Sequence, residues 1–242
     1  MTELYISQFA RRSGGHAVMN WIGASFDSWE LINCARVPYK QTKKEEQDWN
    51  KDCVIIGLED RARWEELDKP LLQESIDSYP IKDLGSITPL VIVRDPYSHF
   101  ASRMKSGDKK VKTAPVSKFT PECVQWWIDT ARFSLERKDF VLVNYNRWND
   151  STKYRKKLAV ELELDFEKSE EKKWQVSSHG HGSSFSTTKI KDMKDQPLNE
   201  RWKEFVNDPR FKKLILPNAE VRELSKEIFG WFLNPEGEKV CI

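Results

Sequence analysis

Two short stretches of this chain hold residues whose types and spacing could do chemistry. The first is "ARRSGGHA", Ala10 to Ala17, which follows the apolar run Leu4–Phe9 and precedes a stretch with Val18, Ile22 and Phe26 at helical spacing. A loop of this kind between a strand and a helix can cradle an anion. Backbone N–H groups around Ser13, Gly14 and Gly15 converge, the new helix contributes its partial positive charge, and glycine lets the backbone approach closely. Arg12 adds a permanent charge and a planar fork of donors. The Lys-Ser or Lys-Thr that nucleotide kinases carry after the last glycine is absent. The second stretch is "VIVRDPYSHFASR". Arg94 ends the apolar run Leu90–Val93, Asp95-Pro96 opens a helix, Ser102 follows Arg94 by eight positions, and Gly107 stops the helix. Eight positions are about two helical turns. Arg94 and Ser102 read either as parts of a capped helix or as a bidentate arginine and a hydroxyl gripping one phosphate.

Proton-transfer candidates are spread more widely. "CVIIGLED" is a buried-strand pattern that delivers Glu59 and Asp60 to its carboxyl end. A carboxylate there serves as a general base if burial raises its pKa, or as a helix N-terminal acid ahead of "RARWEEL". His16 lies in the first loop and is a rival base. His99, between Arg94 and Ser102, reads as packing or surface. His179 and His181 sit in the Ser/Gly/His/Thr loop "SSHGHGSSFSTT", residues 177–188, and two histidines without a third ligand make no metal site. Cys34, Cys53, Cys123 and Cys241 have no CxxC spacing, so no metal is expected.

These candidates need a scaffold. The 242 residues suit one α/β domain spanning 1–242. Strands are expected at Leu4–Phe9, within "ELINCARV", at Cys53–Asp60, Leu90–Val93 and Phe140–Tyr145. Helices are expected in "GHAVMNWIGASF", "RARWEELDKPLLQESIDSY", after Pro96, in "TPECVQWWIDTARFSLERKD" with Thr120 as N-cap, in "NDSTKYRKKLAVELEL", and in the closing segments "LNERWKEF" and "NAEVRELSKEIFGWF". Alternating strands and helices imply a three-layer α/β/α fold with a mostly parallel central sheet, like that of P-loop nucleoside triphosphate hydrolases. Ligands then sit at the carboxyl ends of the strands, where both motifs fall.

Composition narrows the function classes. The formal net charge of +2 argues against a general nucleic-acid binder. No secretory h-region opens the chain and no window approaches a membrane span, so a cytoplasmic protein with reduced thiols is expected. Ten tryptophans serve packing or provide aromatic platforms for a sugar or a purine.

Together, "RRSGGHAVMNWI" and "VIVRDPYSHFASR" resemble the sulfotransferases that use 3′-phosphoadenosine 5′-phosphosulfate. In that family a first-strand loop, Lys or Arg followed by Ser-Gly-Thr-Thr/Ser, holds the 5′-phosphosulfate. A later strand ending in Arg-Asp/Asn-Pro, with a serine eight residues after the arginine, holds the 3′-phosphate. Arg12-Ser13-Gly14 matches the first pattern, and Arg94, Asp95, Pro96 and Ser102 match the second. Gly15 and His16 stand where the family often has two hydroxyl residues, so backbone amides or the His16 imidazole would substitute. "FVLVNYNRW" looks like the family's strand ending in Tyr-Glu-Asp-Leu, which puts Tyr145 near the adenine, with Asn146 in place of the acid. "HGHGSSFS" is similar to C-terminal segments that close over the nucleotide, which implicates Ser183, Ser184 and Phe185.

The resemblance implies transfer of a sulfuryl group from 3′-phosphoadenosine 5′-phosphosulfate, with adenosine 3′,5′-bisphosphate as product and no metal. The acceptor would be a hydroxyl or amine of a small molecule or carbohydrate. Arg12 would carry the reacting end, and Glu59, Asp60 or His16 would be the base. Segments 36–52, 105–120 and 175–195 would shape the acceptor pocket. Two other readings stay open: a P-loop small-molecule kinase, for which the lysine is missing, and a non-catalytic nucleotide- or sugar-binding protein on the same scaffold.

Overall fold

A computed structural model describes residues 1–33, 51–59, 81, 83–108, 119–173 and 198–242. Its framework is five parallel strands: β1 Thr2–Phe9, β2 Trp29–Asn33, β3 Cys53–Glu59, β4 Leu84–Val93 and β5 Val141–Asn144. Their order across the sheet is β2-β3-β1-β4-β5, with every pair parallel. The expected α/β architecture with a parallel central sheet is therefore present.

Alternation along the strands feeds two cores. Leu4 and Ile6 of β1, Val54 and Ile56 of β3, and Val91 and Val93 of β4 face one side. There they meet α2 (Pro96–Asp108) and α3 (Pro121–Glu136) through Tyr97, Phe100, Met104, Trp127 and Ile128. Tyr5, Phe9, Ile55, Leu90, Ile92 and Val143 face the other side. They pack on α1 (Gly15–Gly23), α4 (Tyr145–Asp150) and α5 (Thr152–Glu161) through Val18, Trp21, Ile22, Trp148 and Leu158. Burial on both faces is why these strands read as continuous apolar runs.

Several boundaries differ from the sequence expectation, each for a physical reason. β4 begins at Leu84, six residues before its apolar run, because its first half pairs with β1 while remaining partly exposed. Pro89 is tolerated there because β5 begins to pair only at Leu90. The expected helix over "NDSTKYRKKLAVELEL" is two helices. The first is α4, which starts at Tyr145 itself, so the strand ends at Asn144; Ser151 then caps α5 by accepting from the Tyr154 N–H at 3.2 Å. Thr120 stands in extended conformation before α3, but its side chain makes no capping bond and instead meets Cys123 Sγ at 3.6 Å. The segment "LNERWKEF" is a 3-10 turn, Arg201–Glu204.

After α6 (Phe166–Lys172), α7 (Pro209–Leu214) and α8 (Ala219–Phe229), the chain closes with an unexpected antiparallel hairpin, β6 Trp231–Leu233 with β7 Lys239–Cys241. The expected second strand reaches Asn33, and the helix over "RARWEELDKPLLQESIDSY" lies outside the described residues. No helix among the described residues is long and apolar enough to cross a membrane.

Asn144 joins the sheet edge to the far helix. Its Oδ1 accepts the Arg147 N–H at 3.1 Å, capping α4, and its Nδ2 donates to the Ile228 carbonyl at 3.0 Å. Replacing it with Ala removes a cap and leaves a buried carbonyl unpaired, which should cost about 1–3 kcal/mol. Urea denaturation of Asn144→Ala checks this, and an unchanged midpoint would refute it.

Candidate functional site

The site is built where β1 and β4, neighbours at the centre of the sheet, release their carboxyl ends. β1 ends at Phe9 and the chain turns through Ala10–Gly14 into α1. The Ser13 N–H bonds the Ala10 carbonyl at 3.0 Å, and Arg12 and Gly14 adopt positive φ of 75° and 91°. A left-handed backbone costs a non-glycine residue about 1–2 kcal/mol, so the Arg12 conformation is one the surroundings impose. Gly14 is the N-cap of α1. A Cβ there would collide with the Tyr145 ring, and one at Gly15 would collide with the Phe9 ring. Helix geometry supplies no carbonyl for the N–H groups of the first turn, so this end is suited to an anion. Ser13 is buried, and its hydroxyl has no hydrogen-bond partner.

Arg94 leaves the end of β4 and is 2% exposed. Its Nη1 donates to the Arg12 carbonyl at 3.3 Å and to Ser102 Oγ at 3.4 Å, and its Nη2 donates to the Leu198 carbonyl. Its guanidinium carbon lies 5.3 Å from the centre of the Tyr145 ring. Nε is buried without a partner. From behind, Trp127 Nε1 donates to the Arg94 carbonyl at 2.9 Å. The two motifs therefore meet: Arg94 touches the first loop directly, and Ser102 is turned toward Arg94 from α2.

Asp95 is fully buried. It accepts the Ser98 N–H at 2.8 Å and Asn146 Nδ2 at 2.9 Å, while Asn146 Oδ1 accepts the Asp95 N–H at 3.0 Å. Burial raises its carboxyl above the usual range; Arg94 and these hydrogen bonds oppose the rise. Asn146 is thus the reciprocal partner of the Arg-Asp turn. Tyr145 is sandwiched between Gly14, Arg94 and Trp148, the two rings stacked with centroids 5.6 Å apart. Burial raises its hydroxyl pKa, against the lowering influence of Arg94 and Arg201.

Other candidates separate. Arg12 and Ser13 are in the loop, and the His16 ring meets Phe9 edge-on with centroids 5.7 Å apart. Glu59 closes β3 in register with Phe9, so its backbone stands at the same sheet edge. Asp60, His179, His181, Ser183, Ser184 and Phe185 lie outside the described residues.

Two residues near the site were not singled out from sequence. His99, expected as packing or surface, is fully buried with neither ring nitrogen hydrogen-bonded. Burial, then the charges of Arg103, Arg94 and Arg12, hold its pKa well below the usual imidazole value. Arg201, just after Leu198, donates from Nη1 to Ser102 Oγ at 3.0 Å. Burial first, then Arg94 and Arg12, push this guanidinium down to about 9, against Tyr145 and Asp95. Four arginines thus gather around one sheet end, with Asp95 as a buried opposing charge. Such a cluster attracts an anion with several oxygens. Among the described residues, no group of three or more His, Cys, Asp or Glu could hold a metal ion.

No protein-family model matches the chain, and no curated protein matches it in sequence. The fold does match a solved structure. The chain is similar to the mouse sulfotransferase SULT7A1 complexed with PAP, with a TM-score of 0.54 and 13% sequence identity over 93% of this chain and 88% of that one. The fold is that of a sulfotransferase.

Proposed function

We propose that this protein transfers a sulfuryl group from 3′-phosphoadenosine 5′-phosphosulfate to a hydroxyl or amine of a small-molecule or carbohydrate acceptor. The observation that carries the reading is the Arg94 junction. It joins a phosphate-type loop to a second anion grip, through a hydrogen bond between residues 82 apart in sequence. A donor with two separate anionic groups, one at the loop and one at Arg94 and Ser102, matches that pairing. The PAP-bound mouse enzyme of the same fold supports the choice of nucleotide.

The residues present fit such a donor. The buried Ser13 hydroxyl and Arg94 Nε are orphaned polar atoms that ligand oxygens would satisfy. When bound, the nucleotide supplies the activated sulfuryl group. Arg12, Ser13 and the backbone of Gly14, Gly15 and His16 would hold its 5′ end. Arg94 and Ser102 would hold its 3′-phosphate, and Tyr145 would support both from beneath, with Ser183, Ser184 and Phe185 closing over the nucleotide.

A sulfuryl group carries less charge than a phosphoryl group, so arginine and backbone N–H groups can stabilise its transfer. Arg12 is assigned to the charge that develops on the bridging and leaving oxygens. Removing it should cost about 3 kcal/mol or more of transition-state stabilisation, by analogy with oxyanion donors. The acceptor proton passes to a base at the edge formed by β3 and the loop, with Glu59, Asp60 and His16 as candidates.

Binding is the direct test. Adenosine 3′,5′-bisphosphate at about 100 times its Kd should stabilise the protein by about 2.7 kcal/mol, a rise in Tm of several degrees. Arg94→Ala should abolish the shift. A shift with ATP and Mg²⁺ but none with the bisphosphate would favour the kinase reading instead.

The base is tested separately. Glu59→Gln should leave bisphosphate affinity unchanged and lower turnover by about 10²-fold or more, measured with radiolabelled donor against an acceptor panel. Unchanged turnover would pass the role to Asp60 or His16.

A further inference from the structure

Arg201 belongs to no motif recognised in the sequence, yet its side chain is built into the second anion grip. The 3-10 turn Arg201–Glu204 lies along α2 with a constant offset. Arg201 meets Ser102, and three residues later Glu204 meets Lys105 in an ion pair. Trp202, between them, is buried in the core formed by α2, α3 and the sheet. Just ahead of the turn, the Leu198 carbonyl accepts from Arg94 and the Asn199 side chain donates to Asp150 at 2.6 Å. The turn is therefore docked at several points, and Arg201 is held by the fold.

Its placement on Ser102 has a chemical consequence. A serine hydroxyl has two acceptor lone pairs and one donor hydrogen. Here Arg94 and Arg201 both donate to Ser102 Oγ, at 3.4 and 3.0 Å, so both lone pairs are engaged and the hydroxyl's remaining capacity is as a donor. Two guanidiniums of like charge are brought to one oxygen at a buried position. Arg94 Nε is an unpartnered donor at the same place. Guanidinium donors and a donating hydroxyl converging on one point are complementary to a tetrahedral dianion with several acceptor oxygens. A neutral ribose hydroxyl would leave this charge unanswered.

We propose that Arg201 is a ligand of the nucleotide's 3′-phosphate and sets the preference for a 3′-phosphorylated nucleotide over one bearing only a 5′-phosphate. This rests on the function proposed above. Arg94 anchors the grip to the first loop, and Arg201 closes it from the C-terminal turn, with Ser102 fixing the spacing between the two.

The test is a comparison of Kd values, by calorimetry, for adenosine 3′,5′-bisphosphate and adenosine 5′-monophosphate. The wild-type protein is measured beside Arg201→Met and Arg201→Lys. The wild type should prefer the bisphosphate. Arg201→Met should weaken bisphosphate binding by about 10- to 100-fold while leaving the monophosphate within about twofold, because one charge-assisted contact is removed from one phosphate. Arg201→Lys keeps the charge without the planar fork and should lose part of the preference. It carries the test if the Met variant does not fold, and a wild-type preference in the Lys variant would then overturn the proposal.

A Met variant that keeps the preference, or loses affinity for both nucleotides equally, overturns the role of Arg201 and leaves the proposed function standing. A wild type that binds neither nucleotide removes the proposed function, and this inference with it.

Discussion

Burying the charge of Arg94 is the constraint around which this end of the sheet is organised. A guanidinium taken from water costs several kcal/mol unless its donors are met. Here they are met by the carbonyls of Arg12 and Leu198, the hydroxyl of Ser102 and the face of Tyr145. Those partners come from the first loop, the C-terminal turn, α2 and α4. Each segment must reach its place for the charge to be tolerated, so Arg94 ties together regions that share no strand pairing. Trp127 fixes the backbone from the opposite side through the Arg94 carbonyl. The buried Asp95 needs its own partners, and it finds them in Ser98 and Asn146.

This arrangement also explains the position of Tyr145. Where the chain leaves β5, Asn144 caps α4 and directs the next side chain beneath the loop. The Tyr145 ring fills the space that a side chain at Gly14 would occupy and carries the Arg94 guanidinium on its face. One ring therefore sets the distance between the loop and the second grip. Trp148 stacks behind it, and Trp21 of α1 meets Trp148 edge-on with centroids 6.1 Å apart. Three of the ten tryptophans of the chain, Trp21, Trp127 and Trp148, thus act as packing for the site.

The sequence revealed the parts of the site that lie on one local unit. Leu90–Val93 reads as a strand because it is buried on both faces, and Arg94 and Ser102 are legible because a single strand–turn–helix fixes their spacing. Arg201 was not legible. It reaches Ser102 from 99 residues further along, and no local spacing records that contact. The Leu198 contribution is a backbone carbonyl, which any residue could supply. His99 looked like an ordinary helix position because its burial depends on α2 facing the first loop, where Arg103, one turn on, donates to the Arg11 carbonyl at 3.4 Å. The closing hairpin escaped notice because its strands are only three residues each, too short for alternation to register.

The departure at Gly15 and His16 has a steric origin. Phe9, the last residue of β1, is buried with its ring directly against Gly15, so a Cβ at position 15 has no room. A threonine could enter there only if Phe9 were smaller. Gly15 is thus the counterpart of a large aromatic at the strand end, and His16, edge-on to the same ring, extends that packing. A loop so constrained has two kinds of donor left for an anion: backbone N–H groups, turned by the left-handed residues Arg12 and Gly14, and the Ser13 hydroxyl. Backbone donors need no particular side chain, so the loop can keep an anion-binding shape while its sequence moves away from a hydroxyl-rich pattern. The aromatic pair Phe9 and Tyr145, one against each glycine, is what makes both glycines necessary.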